Sequence, residues 1–264
     1  MANQNEKEMT FWDHLDELRK IFFRIVIVIV VFACISFVFK DFLFNIIFAP
    51  QRSDFVLYRF FNQMAEQFKM PSLAMEEFQV ELINTQLTSQ FMTHMTISLY
   101  SGILLASPYI IYTLFQFISP ALYTSERQIC LKILTPACLL FILGVLLSYY
   151  IIFPLSFRFL ATYQVSTIVT NMISLTSYIS SLVMLSLLLG VAFEIPIIVY
   201  LLSKLKLIQK KTLKKFRKHA LIVILILASI ITPTSDIFTL LLVSTPLYLL
   251  YEFSIIVASR TNSR

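Results

Sequence analysis

Three glutamates carry what chemistry this chain offers, and one of them sits where it has least room for charge. Glu194, in the run GVAFEIP, follows Phe159–Phe193 without an intervening Asp, Glu, Lys or Arg and precedes the apolar stretch Ile195–Leu202. A carboxylate inside hydrocarbon costs about 2.5–3.5 kcal/mol on insertion scales, so it must be neutral, hydrogen-bonded or turned toward a polar cavity. Two readings stay open: an acid bonded within a helix bundle, or a polar anchor for a partner helix or wet cavity. Pro196, two residues on, frees a backbone carbonyl and can kink the helix there.

Glu17 and Glu126 form the second constellation, each with a basic neighbour, Arg19 and Arg127. Either one alone reads as a solvated interface charge. Together, on an otherwise positive face, they offer two carboxylates to a cationic ligand. A guanidinium suits that role, because its planar fork binds carboxylates bidentately and an ammonium does not. Asp236, in ITPTSD, is placed to cap the next helix. Glu252 has two candidate partners, Arg260 or a neighbouring helix.

The elements that hold these acids lie in a membrane. Hydrophobic residues make up 58% of the 264 and charged residues 14%, with mean hydropathy +0.81; soluble domains carry about 25% charged residues. No charge occurs between Glu81 and Glu126 either. A soluble surface cannot go uncharged that long, whereas one helical crossing needs only about 20 apolar residues. The expectation is an all-α membrane protein forming a single domain over residues 1–264. His14, His94 and His219 are scattered, and Cys34, Cys130 and Cys138 read as small apolar fillers, so no metal site or cofactor is indicated. No HExxH, GxSxG or P-loop motif occurs, which argues against an enzyme. The polar first twenty residues, with five acids, lack the pattern of a cleaved signal and read as retained.

Six spans are expected, at about 21–39, 95–118, 133–153, 177–202, 220–232 and 237–258, with a loop from Pro154 to about Thr176. The last two are read as short, so they must sink below one face or thin the bilayer locally. With the N-terminus, 118–132, 204–218 and the C-terminus on one side, that side holds 16 of the 21 basic residues. The bias places this side, and both termini, in the cytoplasm. The run Lys204–Lys218 supplies eight of the sixteen; topogenic charge and contact with anionic lipid explain it better than nucleic acid does. In the long first outer loop, Phe55, Tyr58, Phe61, Ala65 and Phe68 recur at helical spacing before Pro71. This marks a helical cap near the outer surface, with a second short helix possible over Pro71–Leu82.

Several motifs carry a family resemblance: FWDHLDELRK (Phe11–Lys20), SPYIIYTLFQFISPALYTSER (Ser107–Arg127), FEIP (Phe193–Pro196) and ITPTSDIFTLLLVSTPLYLLYEFSI (Ile231–Ile255). They resemble the TatC family, the core membrane subunit of the bacterial twin-arginine protein translocase. The resemblance implies a receptor in the cytoplasmic membrane that binds twin-arginine signal peptides of folded precursors. It also implies small single-span partner subunits, a homo-oligomer within a larger complex, and transport driven by the proton-motive force. The signal-contacting acids fall on Glu17 and Glu126, and neighbouring motif positions on Leu18, Arg19, Phe117, Pro120, Leu122, Tyr123 and Arg127. The intramembrane Glu, linked to partner helices, falls on Glu194, and a motif proline falls on Pro50. The chain departs from the pattern at Thr113, where glutamine is usual, and at Phe115, which stands at the position of a tryptophan. The rival reading is a proton-coupled transporter of a small solute with Glu194 as its site. No repeat between the halves and only three glycines for broken helices count against it.

Overall fold

A computed structural model describes residues 11–70, 80–118, 124–164, 166, 171–205, 207–232 and 236–261; residues 11, 13, 14, 118, 124–132 and 259–261 are described as helical backbone alone. In chain order the helices are α1 (Phe11–Val38), α2 (Lys40–Ile47), α3 (Val56–Gln67), α4 (Ser89–Ile118), α5 (Thr124–Leu147), α6 (Phe153–Thr162), α7 (Leu175–Ala192), α8 (Ile195–Lys204), α9 (Lys210–Lys215), α10 (Arg217–Ile231) and α11 (Ile237–Thr261). Two short strands, β1 (Leu82–Ile83) and β2 (Ile173–Ser174), pair in parallel with Leu82 opposite Ile173. The chain divides into two compact units, residues 1–39 with 98–138, and residues 40–97 with 139–264.

Among the described residues, five helical stretches are long and apolar enough to cross a membrane: Leu15–Val38, Ser89–Phe117, Ile133–Thr162, Leu175–Lys204 and Ile237–Ala258. The expected span at 220–232 corresponds to α10, which at 15 residues is about 22 Å long, short of a hydrocarbon core of about 30 Å. The last span is not short as expected. α11 has 25 residues, about 37 Å, long enough to cross the hydrocarbon core.

Nor does the third span end at Pro154. The chain does not leave the helix there. The third span runs on to Thr162 through a π turn, Ser148–Ile152, with Pro154 in the first turn of α6. The first turn is where the missing N–H of a proline costs nothing. Within α4, Pro108 lacks the N–H that would bond the Leu104 carbonyl, and the Ser107 hydroxyl donates to that oxygen instead, at 2.7 Å.

In the unit of residues 1–39 and 98–138, α1 and α4 approach so closely that a Cβ on Gly102 would lie 2.8 Å from the Ala33 nitrogen and the Ile29 oxygen. Ser36 and Ser101 hydrogen-bond across the same crossing at 3.1 Å. Small residues allow this backbone approach in lipid, where apolar burial alone drives no association.

The other unit is built around α7. Gly144 of α5 fits against the Leu189 carbonyl and the Phe193 ring, and Gly190 against Phe141. The helical cap is α3. Phe55, Tyr58 and Ala65 are buried, Phe61 is half-buried and Phe68 exposed; Pro71–Leu82 lies mostly outside the described residues. Tyr58 places its hydroxyl 3.1 Å from the carbonyls of both Pro50 and Pro154, with the Arg158 guanidinium over its ring. Burial pushes this phenol well above the ordinary tyrosine range, and Arg158 pulls it partly back. Pro50, fully buried in the turn Ala49–Gln51, is one seat of that lock.

Candidate functional site

The crossing at Gly102 sets the register of α1 against α4, and hence what lies beyond it. With Gly102 seated between Ile29 and Ala33, an antiparallel pair brings Arg24 level with Tyr109 and Glu17 level with Gln116, since both chains rise about 1.5 Å per residue. There a cavity of about 400 Å³ opens, lined by Asp16, Glu17, Lys20, Ile21 and Arg24 from α1 and Tyr109, Tyr112, Thr113 and Gln116 from α4. Residues 16, 17, 20 and 24 share one face of α1 by their three-to-four spacing.

Charge is graded along this face: two carboxylates at the end nearer the N-terminus, then Lys20 and Arg24 one and two turns further into the span. No ion pair joins any of the four to another described residue. Glu17 is half-buried and Asp16 exposed. The carboxylates are therefore open to a cation from outside, and the two tyrosine rings supply faces on which a guanidinium can stack. Thr113, nearly buried, gives its hydroxyl proton to the Tyr109 carbonyl at 2.7 Å, so the wall at this departure from the family pattern keeps no free donor.

The other expected residues distribute unevenly. Leu18 and Arg19 are exposed and do not line the cavity; the Arg19 guanidinium lies 5.8 Å from the Phe23 ring centre. Phe115 and Phe117 are half-buried. Pro120, Leu122 and Tyr123 lie outside the described residues. Glu126 and Arg127 fall in the first turn of α5, with their side chains outside them. Sequence reasoning missed Asp16, Lys20, Arg24, Tyr109 and Gln116 as neighbours of Glu17. A signal for the first three was present, a polar stripe at helical spacing running into an apolar span.

Glu194 stands at the break between α7 and α8. Its N–H donates to the Val191 carbonyl, and its own carbonyl accepts from Ile197 and Ile198, each at 3.0 Å. Pro196 occupies the first turn of α8, so the kink expected on sequence grounds is there. The side chain is half-buried, makes no cap hydrogen bond, and its Oε1 is buried without a partner among the described residues. Such an oxygen is a standing deficit that a donor from another helix would satisfy.

Two more acids are accounted for. Asp236 caps α11, with its Oδ1 accepting the Thr239 N–H at 2.6 Å. Glu252 pairs with Arg217 of α10 at 2.6 Å and accepts from the Tyr248 hydroxyl at 3.3 Å. The neighbouring-helix alternative thus holds, and Tyr251 adds a bond to the Leu213 carbonyl at 2.7 Å.

Residues 13–246 match the model of the family described as Sec-independent protein translocase protein (TatC). The chain is 38% identical to the Sec-independent protein translocase protein TatC of Blattabacterium sp. subsp. Periplaneta americana (strain BPLAN), covering 97% of each chain. It is 34% identical to that of Aquifex aeolicus (strain VF5), covering 94% of this chain and 93% of the relative. A crystal structure described as the twin-arginine translocase receptor TatC superposes with a TM-score of 0.74 at 32% identity, covering 94% of this chain and 99% of that one. A second, in DDM, superposes with the same TM-score.

Proposed function

The chain belongs to the TatC family, and from that premise we propose that it is the receptor and core translocon subunit for folded precursors bearing twin-arginine signal peptides. As a TatC it is a multi-pass bacterial membrane protein and a component of a protein translocase, a transporter of proteins rather than a classical enzyme. In the proposed arrangement one membrane domain of six spans, α10 included, has both termini in the cytoplasm and sits in the cytoplasmic membrane.

The observation that carries this reading is the cavity at Glu17: carboxylates with no ion pair to another described residue, beside two tyrosine rings, at the end of the first span. The arginine pair of the signal docks on Glu17 and Glu126, and the apolar part of the signal lies along the spans near Phe117. Consecutive side chains of an extended peptide point to opposite faces, so two arginines need two separated acceptors. Charge-assisted hydrogen bonds contribute about 1.5–3 kcal/mol each, and the second bond that a guanidinium fork makes to each carboxylate, and an ammonium does not, selects the pair over lysines. Glu194 takes a polar side chain from a small single-span partner subunit, several copies assemble, and the proton-motive force drives the passage.

The test is export of a folded reporter with a twin-arginine signal into vesicles containing this chain and its small partner subunits. Export should require the proton gradient and disappear in the Glu17→Ala/Glu126→Ala chain while membrane insertion persists. Gradient-driven uptake of a small solute by vesicles holding this chain alone, lost in Glu194→Gln, would instead establish a proton-coupled secondary transporter.

A further inference from the structure

At the end of α7 remote from the basic run 204–218 lies a second cavity, of about 270 Å³, walled by α6, residues 171–173, the early turns of α7 and Thr239 of α11. Part of the wall is apolar. Phe153 and Phe157 stack with ring centres 5.9 Å apart, Tyr178 stands edge-on to both, and Leu160 and Leu185 lie alongside. The rest bears hydroxyls, on Ser156, Ser177, Ser181 and Thr239. Ser156 and Thr239 are 3% and 1% exposed, and neither hydroxyl has a hydrogen-bond partner among the described residues.

The nearby polar groups are bonded elsewhere: Asp236 Oδ1 takes the Thr239 N–H rather than its hydroxyl, at 2.6 Å. The Tyr178 hydroxyl donates to Ile47, and the Asn171 amide nitrogen donates to the Ala161 and Tyr163 carbonyls at 3.0 and 2.8 Å. No described lining side chain carries a charge. Two buried hydroxyls without a partner among the described residues, in an uncharged and partly aromatic cavity, fit a neutral ligand with a carbonyl acceptor on an apolar body. We propose that this cavity seats the ester carbonyl and first methylenes of a membrane-lipid acyl chain, held by Ser156 and Thr239. A charged group is excluded, because the lining offers no counter-charge and an unpaired buried charge is costly. Water would satisfy the hydroxyls but wet the aromatic wall, which an acyl chain keeps dry. The seated ester joins α6 to the first turn of α11. It is independent of the Glu17 cavity and of Glu194.

The full chain is reconstituted in nanodiscs with a phosphatidylcholine carrying a diazirine near the acyl ester, irradiated, and mapped by peptide mass spectrometry. Labelling is expected within residues 153–160 and 177–185, and to fall about tenfold in the Ser156→Ala/Thr239→Val chain through loss of two hydrogen bonds. An ether-linked analogue, lacking the carbonyl, should label the wild type as weakly as that variant. Equal labelling by ester and ether lipids, or labelling indifferent to the two substitutions, overturns the proposal. Absence of labelling in these segments also overturns it, and rapid hydroxyl-radical oxidation of Phe157 would then identify water as the occupant. If the double variant does not fold, the ester–ether comparison on the wild type decides alone.

Discussion

The Tyr178 hydroxyl donates to the Ile47 carbonyl at 2.7 Å, across 131 positions of sequence. The last carbonyls of a helix have no partner within it. At the end of α2, Ile46 receives the Tyr149 hydroxyl and Ile47 that of Tyr178, while Tyr58 reaches Pro50 just beyond. Tyr178→Phe removes a donor and leaves a buried carbonyl unmet, a loss of about 1–3 kcal/mol. Its thermal midpoint in detergent should fall clearly below that of Tyr150→Phe, whose ring stacks on Phe55 without such a bond. Equal midpoints would show the α2 carbonyls to be satisfied some other way.

Gly102 has no room for a side chain. A Cβ there lies 2.8 Å from backbone atoms of α1, which cannot swing aside. Gly102→Ala should force α1 and α4 apart at a cost of about 1–3 kcal/mol. Because the crossing sets the register of the Glu17 cavity, peptide affinity should fall together with stability. A cysteine pair at Ser36 and Ser101, oxidised in membranes, reports the separation: disulfide yield drops in the variant.

The Arg217–Glu252 pair is short at 2.6 Å but part-exposed, with side chains 45% and 28% accessible. Exposed pairs contribute about 0–1 kcal/mol. A double-mutant cycle with Arg217→Gln and Glu252→Gln should give a coupling below about 1 kcal/mol that shrinks with added salt. A larger, salt-independent coupling would mean that the pair is desolvated by the membrane or a partner.

What the sequence disclosed, it disclosed through composition and charge. The apolar runs marked α4 and α7, and the isolation of Glu194 followed from the same runs. The kink at Pro196, the cap at Asp236 and the face of α3 were local facts, readable from neighbours within a few positions. Pro154 misled because proline amid Ser, Thr, Asn and Gln reads as a loop, whereas a π turn upstream lets it open α6. The tyrosine bonds to α2 span long sequence separations and carry no local signal. Tyr109 and Gln116 come to Glu17 only through the register set at Gly102, which is a property of two helices together.

The graded charge along α1 has its own consequence. Lys20 lines the same cavity as Asp16 and Glu17 without pairing to either, so it repels an incoming guanidinium. Lys20→Gln should tighten binding of a twin-arginine peptide several-fold, and Asp16→Asn should weaken it by about the same factor, with both effects shrinking at high salt. Fluorescence anisotropy at two ionic strengths reads both. A weakened Lys20→Gln chain would mean that Lys20 contacts the peptide directly.

For Glu194, the unmet Oε1 distinguishes a hydrogen-bonding role from a charge role. Glu194→Gln keeps an acceptor and should retain most association with the single-span subunit, measured by co-purification. Glu194→Leu removes it and should lose most of that association. Loss in both variants alike would assign the work to the ionised carboxylate.

The most direct measurement is the affinity of this chain, in nanodiscs, for a signal peptide with Arg-Arg against one with Lys-Lys, repeated with Glu17→Gln. The expected result is a preference of at least tenfold for the arginine pair in the wild type, largely abolished by the substitution. Equal affinity for the two peptides, or a preference that survives in Glu17→Gln, would contradict arginine docking on this carboxylate.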